Sequence, residues 1–325
     1  MSKSPRGTDS TRREFLQTAG AGTALLVATG NSSLCGDDAR PPLPSRPLGK
    51  TGVQVPILGV GTAPAGHRPR REAAEFFSAC LDAGATYMDT APEFAGYGVA
   101  QAALGDVLKT RRNEAFVVTK CWEPDGEEAL KLLKANLDEL QTDHADLVYA
   151  HSIGSDKMDP KMVLGKNGVM RALLKAQRDG LTRFIGISSH NRPERCLAVM
   201  KEFKIQVIMN AVSFVLRHIY NFEKEVWPEA DRRGVALAAM KVYGGGIKPA
   251  GGRIKSHDVL EAFRYAQSLP NIATVVVGMY DQQELDENIR FCRTYQPLTE
   301  GELTQLLSRG KKLAETWGTP HGPVS

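Results

Sequence analysis

The sequence contains little cysteine and no CxxC pair. Five cysteines are spread over 325 residues at wide, irregular intervals, namely Cys35, Cys80, Cys121, Cys196 and Cys292. This spacing argues against a disulfide framework and against a zinc site built on paired cysteines, so we predict no metal centre. A chain of this length can build its core without covalent cross-links. We therefore interpret Cys80, Cys196 and Cys292 as small buried side chains.

The sequence also lacks a block of basic residues and a long apolar run. Its formal net charge is +4, and aromatic residues do not interleave with the lysines and arginines. Both features argue against a nucleic-acid partner. The apolar run from Ala19 to Ala28 is too short for a stable helix across a bilayer, so we predict no membrane span in the mature protein.

The amino terminus has the pattern of an export signal. Residues 10–16 read STRREFL, and a weakly apolar segment rich in Gly and Ala follows them. Twin arginines before such a segment are typical of the twin-arginine pathway of bacteria, whose machinery would be a partner and the periplasm the destination. The alternative is a disordered tail with a chance Arg pair. Whether the signal is cleaved stays open, and the bulky Leu34 argues against lipidation of Cys35.

The remaining chain alternates between two patterns. We predict a signal segment over residues 1–35, a linker over 36–47, a single domain over 48–318 and a tail over 319–325. Within that domain, eight short apolar runs are each followed by a helical pattern. Apolar runs without alternation are typical of parallel strands buried on both faces, and eight such units predict an α/β fold of the (β/α)8 TIM-barrel type. An open doubly wound sheet fits less well, and no G-x-G-x-x-G follows a strand.

Polar side chains stand where three successive predicted strands end. These are Asp89, Lys120 and His151, after the second, third and fourth strands. The carboxyl ends of barrel strands meet at one rim, where active sites lie. An acid, an amine and an imidazole suit proton transfer to a carbonyl oxygen, and an ammonium near a Tyr hydroxyl would lower the pKa of that Tyr. No side chain here supplies electrons, so a nicotinamide cofactor would have to provide hydride.

Several segments, in this order, resemble the aldo/keto reductase family over nearly all of residues 46–317. RPLGKTGVQVPILGVGT resembles the family's opening hairpin and first strand. MDTAPEFAGYGVAQAALG, VVTK and ADLVYAH resemble its acid-and-tyrosine, lysine and histidine motifs. GLTRFIGISSHN resembles the stretch that leads to its nicotinamide ligands, and VVVGMYDQQELDENI resembles its adenine-end motif. The resemblance implies reduction of a small carbonyl substrate with a nicotinamide dinucleotide.

The resemblance also implies roles for individual residues. The implied catalytic tetrad is Asp89, Tyr97, Lys120 and His151. The implied cofactor ligands are Ser188 and Asn210 for the carboxamide, Gly278 for a phosphate, and Glu287 and Asn288 for the adenine end. NADP is the family expectation, but Tyr280 and Asp281 stand where a basic residue often clasps the 2′-phosphate, so NAD stays open. Trp122 is interpreted either as a wall of the substrate pocket or as a core residue.

One position in the tetrad has two candidates. Counting forward from Asp89 places the family tyrosine on Phe94, whereas counting back from Leu104 places it on Tyr97. We favour Tyr97 because reduction of a carbonyl requires an acid. The alternative is a catalytically impaired barrel that binds a dinucleotide as a regulatory or binding protein. A barrel enzyme of another class ranks last, because the strand ends offer one acid and one His rather than a metal cage.

Overall fold

The computed structural model describes residues 42–245 and 254–325. The predicted signal segment at 1–35, with Cys35, and the first part of the predicted linker lie outside the described residues. Within the described part of the chain, no helix is long and apolar enough to cross a membrane.

Eight parallel strands close into a barrel, which confirms the predicted fold class. The strands neighbour one another in chain order, and the last strand pairs with the first strand of the barrel. A two-stranded antiparallel hairpin precedes them. The hairpin strands are β1 Ser45–Pro47 and β2 Gln54–Pro56; the barrel strands are β3 Leu58–Gly61, β4 Tyr87–Asp89, β5 Phe116–Cys121, β6 Ala145–Ala150, β7 Thr182–Ser189, β8 Val207–Ala211, β9 Ala236–Met240 and β10 Ile272–Gly278.

Helices surround the barrel, and most of them occupy a connection between successive strands. The connection after β8, expected to be a single helix, contains two short helices. The helices are α1 Arg70–Asp82, α2 Ala100–Arg111, α3 Gly126–Glu139, α4 Pro160–Leu164, α5 Val169–Arg178, α6 Pro193–Glu202, α7 Phe222–Glu225, α8 Trp227–Arg233, α9 Val259–Ser268, α10 Gln282–Arg293 and α11 Glu300–Trp317. The predicted buried cysteines Cys80, Cys196 and Cys292 are buried and free.

The hairpin covers the amino-terminal mouth of the barrel. Leu48 is fully buried and belongs to the apolar cluster inside the barrel. The Arg46 guanidinium donates hydrogen bonds to the carbonyl oxygens of Gln267 and Ile272, each at 3.1 Å, and Ile272 begins β10. Residues 45–47, assigned to the linker from sequence, therefore form the first strand of this hairpin.

The interior of the barrel is filled by inward-facing side chains, including two buried tyrosines. The hydroxyls of Tyr87 and Tyr149 lie 3.2 Å apart. Gly186 provides the room for the Tyr149 ring, because a Cβ there would lie 2.8 Å from that ring. Since side chains alternate along a strand, the residues two positions later also face inward. Asp89 and His151 thus stand one layer above Tyr87 and Tyr149, at the carboxyl end of the barrel.

The carboxyl-terminal residues pack against the barrel instead of forming a free tail. The Tyr220 hydroxyl accepts a hydrogen bond from the His321 amide and donates one to the Gly322 carbonyl, both at 2.9 Å. The His321 ring lies 5.6 Å from the His190 ring, centroid to centroid. Residues 319–323 therefore contribute to the carboxyl-terminal face of the barrel.

Asp146 joins neighbouring strands near the amino-terminal end of β6, and we expect its loss to destabilise the barrel. Its buried carboxylate accepts hydrogen bonds from the Val117 amide at 2.8 Å and from Arg183 at 2.6 Å, and it lies 3.0 Å from the Arg112 guanidinium. Asp146→Ala leaves a buried amide without a partner, so we expect a loss of about 2 kcal/mol. Thermal and urea unfolding followed by circular dichroism measure it.

The matched control is Asp143→Ala, because the Asp143 carboxylate is almost fully exposed. We expect that variant to unfold at the same temperature and urea concentration as the unmodified protein. Equal stability of the two variants would contradict the role assigned to Asp146.

Candidate active site

Lys120 is the centre of the polar cluster at the carboxyl end of the barrel. Its side chain is 1% exposed, and its ammonium donates to the Asp89 carboxylate at 2.8 Å and to the Thr90 carbonyl at 2.8 Å. The third contact joins Lys120 Nζ to the Tyr97 hydroxyl at 3.0 Å. All three donor positions of the ammonium are thus used, and its orientation is fixed.

The loop after β4 brings Tyr97, and not Phe94, to this cluster. Phe94 is 53% exposed, and its ring lies at the surface beneath Lys157 Nζ, 5.4 Å from the centroid. The loop is held against Gly66, whose carbonyl accepts the Val99 amide at 2.9 Å. A Cβ on Gly66 would lie 2.1 Å from the Tyr97 carbonyl oxygen, so the close approach that seats Tyr97 requires glycine there.

His151 enters the site from the end of β6. Its Nδ1 lies 2.9 Å from the Ser188 hydroxyl, which also accepts the Ser152 amide at 3.0 Å. The Trp122 ring meets the imidazole edge-on, at 5.6 Å between centroids. Trp122 therefore lies beside His151, and its indole donates a hydrogen bond to the Ser155 hydroxyl at 3.2 Å.

Burial controls the protonation of these groups. Burial raises the pKa of Asp89 and lowers the pKa of Lys120, and the attraction between the two charges opposes both shifts. Burial, followed by repulsion from Lys120 and Lys241, holds the pKa of His151 well below its usual range, so the imidazole is neutral.

The pKa of Tyr97 departs from the sequence-based expectation. Lys120 was expected to lower it, yet burial and the nearby Asp89 carboxylate raise it well above its usual value. Burial is the main cause, and the negative charge of Asp89 opposes the stabilisation that the Lys120 ammonium gives to a phenolate. The phenol of Tyr97 therefore keeps its proton.

A cavity of about 590 Å³ extends from this cluster towards α10. Asp89, Tyr97 and His190 line its catalytic end. The predicted residues Gly278, Glu287 and Asn288 line it as well. Asn288 is held in place, because its amide accepts the Tyr243 hydroxyl at 2.6 Å and donates to the Glu284 carbonyl at 2.8 Å.

Asn210 and Ser188 are placed differently from what their implied role requires. The Asn210 amide faces the outer side of β8: its Oδ1 accepts the Trp227 indole N–H at 3.1 Å, and its Nδ2 donates to the Ser189 carbonyl at 3.3 Å. Because neighbouring residues of a strand point to opposite faces, the inward position belongs to Met209. We therefore withdraw Asn210 as a carboxamide ligand. The Ser188 hydroxyl faces inward but is bonded to His151.

Two cavity residues were not assigned from the sequence. His190 follows β7, and its Nδ1 lies 3.2 Å from the Ser152 hydroxyl. Lys241 follows β9 and lines the same cavity. Both follow the carboxyl end of a strand. Polar residues at strand ends are the pattern that identified Asp89 and Lys120, so this pattern also predicts His190 and Lys241 as site residues.

The cavity fits a nicotinamide dinucleotide. Its volume lies within the usual range of small-molecule and cofactor sites. Among the described residues, the buried Asp89 Oδ1 at the catalytic end has no hydrogen-bond partner. Lys241 offers a cation, and the Asn288 region offers polar groups at the far end. These residues would hold the cofactor between α10 and the tyrosine.

Comparison with known proteins identifies the family. The profile of the aldo/keto reductase family matches residues 57–258, more than half of the chain. Pyridoxal 4-dehydrogenase of Microbacterium luteolum is 27% identical over 65% of this chain and 74% of that protein. The 7-acetyl-epi-neemfruitin B aldo-keto reductase of Melia azedarach is 25% identical over 76% of this chain and 83% of that protein.

The fold agrees with this assignment. The crystal structure of an aldo-keto reductase from Klebsiella pneumoniae in complex with NADPH superposes with a TM-score of 0.63, at 19% identity, over 80% of this chain and 92% of that one. At this identity the likeness concerns the fold alone, whereas the matched profile establishes the family. The chain belongs to the aldo/keto reductase family of NAD(P)-dependent oxidoreductases.

Proposed function

We propose that the protein reduces an aldehyde or ketone to an alcohol with a proton from Tyr97. The observation that carries this proposal is the 3.0 Å hydrogen bond between the Tyr97 hydroxyl and the buried ammonium of Lys120. It supports a working acid at the site rather than a barrel that only binds a dinucleotide. With Phe94 at the surface, the impaired-barrel alternative loses the feature that favoured it.

Each residue of the cluster has a separate role in the transfer of a proton to the carbonyl oxygen. When bound, NADPH or NADH supplies the hydride that adds to the carbonyl carbon. Tyr97 donates its phenolic proton to the carbonyl oxygen, which completes the alcohol. Lys120 stabilises the phenolate that remains, and Asp89 holds Lys120 in position. Neutral His151 borders the same site and orients the carbonyl oxygen.

Alcohol oxidation is the second candidate, and the names of the relatives favour including it. One relative is a dehydrogenase and another is a reductase. The same residues serve the reverse reaction if Tyr97 begins as the phenolate and accepts the proton of the alcohol. The raised pKa of Tyr97 favours reduction at neutral pH.

NADP is the dinucleotide we favour, as the family resemblance implies, and NAD is the competing candidate. Glu284 and Glu287 line the far end of the cavity, and their charge repels an additional phosphate.

Export of the folded protein by the twin-arginine pathway, to the periplasm, belongs to the same proposal and rests on the STRREFL segment.

Replacement of Tyr97 tests the proposed acid. Tyr97→Phe removes the hydroxyl but keeps the ring, so we expect turnover to fall by about 10²–10⁴-fold while dinucleotide binding is retained. Steady-state oxidation of NADPH with a panel of aldehydes measures turnover. The matched control is Phe94→Leu, which alters the exposed ring of the same loop and should leave turnover unchanged. A fully active Tyr97→Phe enzyme would refute the assignment.

The pH dependence tests the protonation states. Tyr97 is protonated below its raised pKa, so carbonyl reduction should stay constant from about pH 6 to 9 and fall only as the pH rises through the phenol pKa. Alcohol oxidation needs the phenolate and should increase with pH over the same interval. Initial rates in both directions measure this. A fall in reduction with an apparent pKa near 7 would point to a different acid.

A titration tests the cofactor. We expect NADPH to bind more tightly than NADH, with both affinities read from the change in fluorescence on binding. Tighter binding of NADH would contradict this and would indicate that the acidic residues at the α10 end of the cavity exclude the 2′-phosphate of NADPH. Failure of both to bind would remove the proposed reaction altogether.

A further inference from the structure

Lys241 occupies an unusual position at the end of β9. Its backbone φ is 60°, in the left-handed region that a residue with a side chain rarely adopts. The turn is closed by a hydrogen bond from the Gly244 amide to the Lys241 carbonyl at 2.8 Å. Such a conformation persists where the surrounding structure imposes it, and it is common at ligand sites. Here it accompanies a side chain that lines the cavity.

The charge of Lys241 is not neutralised within the described residues. No carboxylate there forms a hydrogen bond or ion pair with its ammonium. The acid that attracts it is Asp89, which is already bonded to Lys120 at 2.8 Å. Asp89 carries one negative charge, and Lys120 and Lys241 carry two positive charges, so the catalytic end has an excess of one positive charge.

The other groups that face the cavity do not remove this excess. Burial, followed by repulsion from Lys241, holds the pKa of His190 well below its usual range, so that ring is neutral. Glu284 and Glu287 line the cavity on α10, at its other end. Burial lowers the pKa of Lys241, and repulsion from Lys120 adds to the effect. An anionic ligand would oppose that shift, because its negative charge favours the charged form of Lys241.

We propose that Lys241 binds an anionic oxygen group of the ligand that fills this cavity. Two sources share this chemistry: a phosphoryl group of the dinucleotide and a carboxylate on the carbonyl substrate. This inference rests on the proposed function for one point, namely that the cavity binds a dinucleotide and a carbonyl substrate. It concerns the binding of these ligands and not turnover. It assigns a role to a residue outside the tetrad and predicts that the cavity prefers ligands with a negative charge near Asp89 and His190.

The first measurement addresses the phosphoryl source. Lys241→Met keeps an unbranched side chain, one atom shorter, and removes the charge. If a phosphoryl group is the partner, the Kd for NADPH and for ADP-ribose, measured by fluorescence and calorimetry, should rise about tenfold or more. Lys241→Arg should retain most of the affinity. High salt should weaken binding to the unmodified protein more than binding to Lys241→Met.

The second measurement addresses the carboxylate source. Benzaldehyde and 4-carboxybenzaldehyde differ by one carboxylate and are titrated into the complex with NADP⁺, which has no hydride to transfer to them, with binding read from fluorescence. If the substrate is the partner, Lys241→Met should weaken binding of 4-carboxybenzaldehyde about tenfold or more, with benzaldehyde and NADPH unaffected.

Lys201→Met is the matched control, because it removes the same charge from the exposed face of α6. It should leave every Kd unchanged. The inference is overturned if Lys241→Met binds NADPH, ADP-ribose and both aldehydes as the unmodified protein does. Failure of the proposed function is a separate result: dinucleotide binds, yet neither aldehyde is reduced. Binding constants then still decide the role of Lys241.

Discussion

The ion pair between Lys120 and Asp89 is the interaction on which the catalytic end of the barrel depends. Both side chains are nearly inaccessible to solvent, at 1% and 4% exposure. Two buried charges are tolerated because they face each other at 2.8 Å and because the ammonium has two further acceptors. Removing either partner would leave an isolated charge inside the barrel. The pair therefore links stability to the chemistry of the site.

The pair also determines what Tyr97 can do. A lone ammonium beside a phenol would favour the phenolate, whereas burial, together with the Asp89 carboxylate, keeps the phenol of Tyr97 protonated. The same two residues thus set the direction of proton transfer in the resting site. Lys241 adds positive charge to this neutral pair from the far side of the barrel, where β9 ends.

Much of this arrangement was predictable from strand ends. Asp89, Lys120 and His151 stand at the carboxyl ends of consecutive parallel strands, and a closed barrel brings such ends together. The choice between Phe94 and Tyr97 was less accessible, because it depends on how a loop packs against Gly66. The predicted role of Asn210 required its amide to face the inside of the barrel, but the amide faces the outer side of β8, because a shift of one residue changes the face of a strand. The pKa of Tyr97 depends on burial and on a third residue, which no pairwise motif contains.

The hairpin at the amino-terminal mouth has a practical consequence. Arg46 fixes it to the start of β10, at the opposite end of the barrel from Lys120 and Tyr97. A shortened protein that begins at residue 42 could carry an affinity tag there and be attached to a sensor chip or resin through it. The immobilised molecule would present its cavity to the solution, whereas attachment through residues 319–325 would crowd His190 and His321.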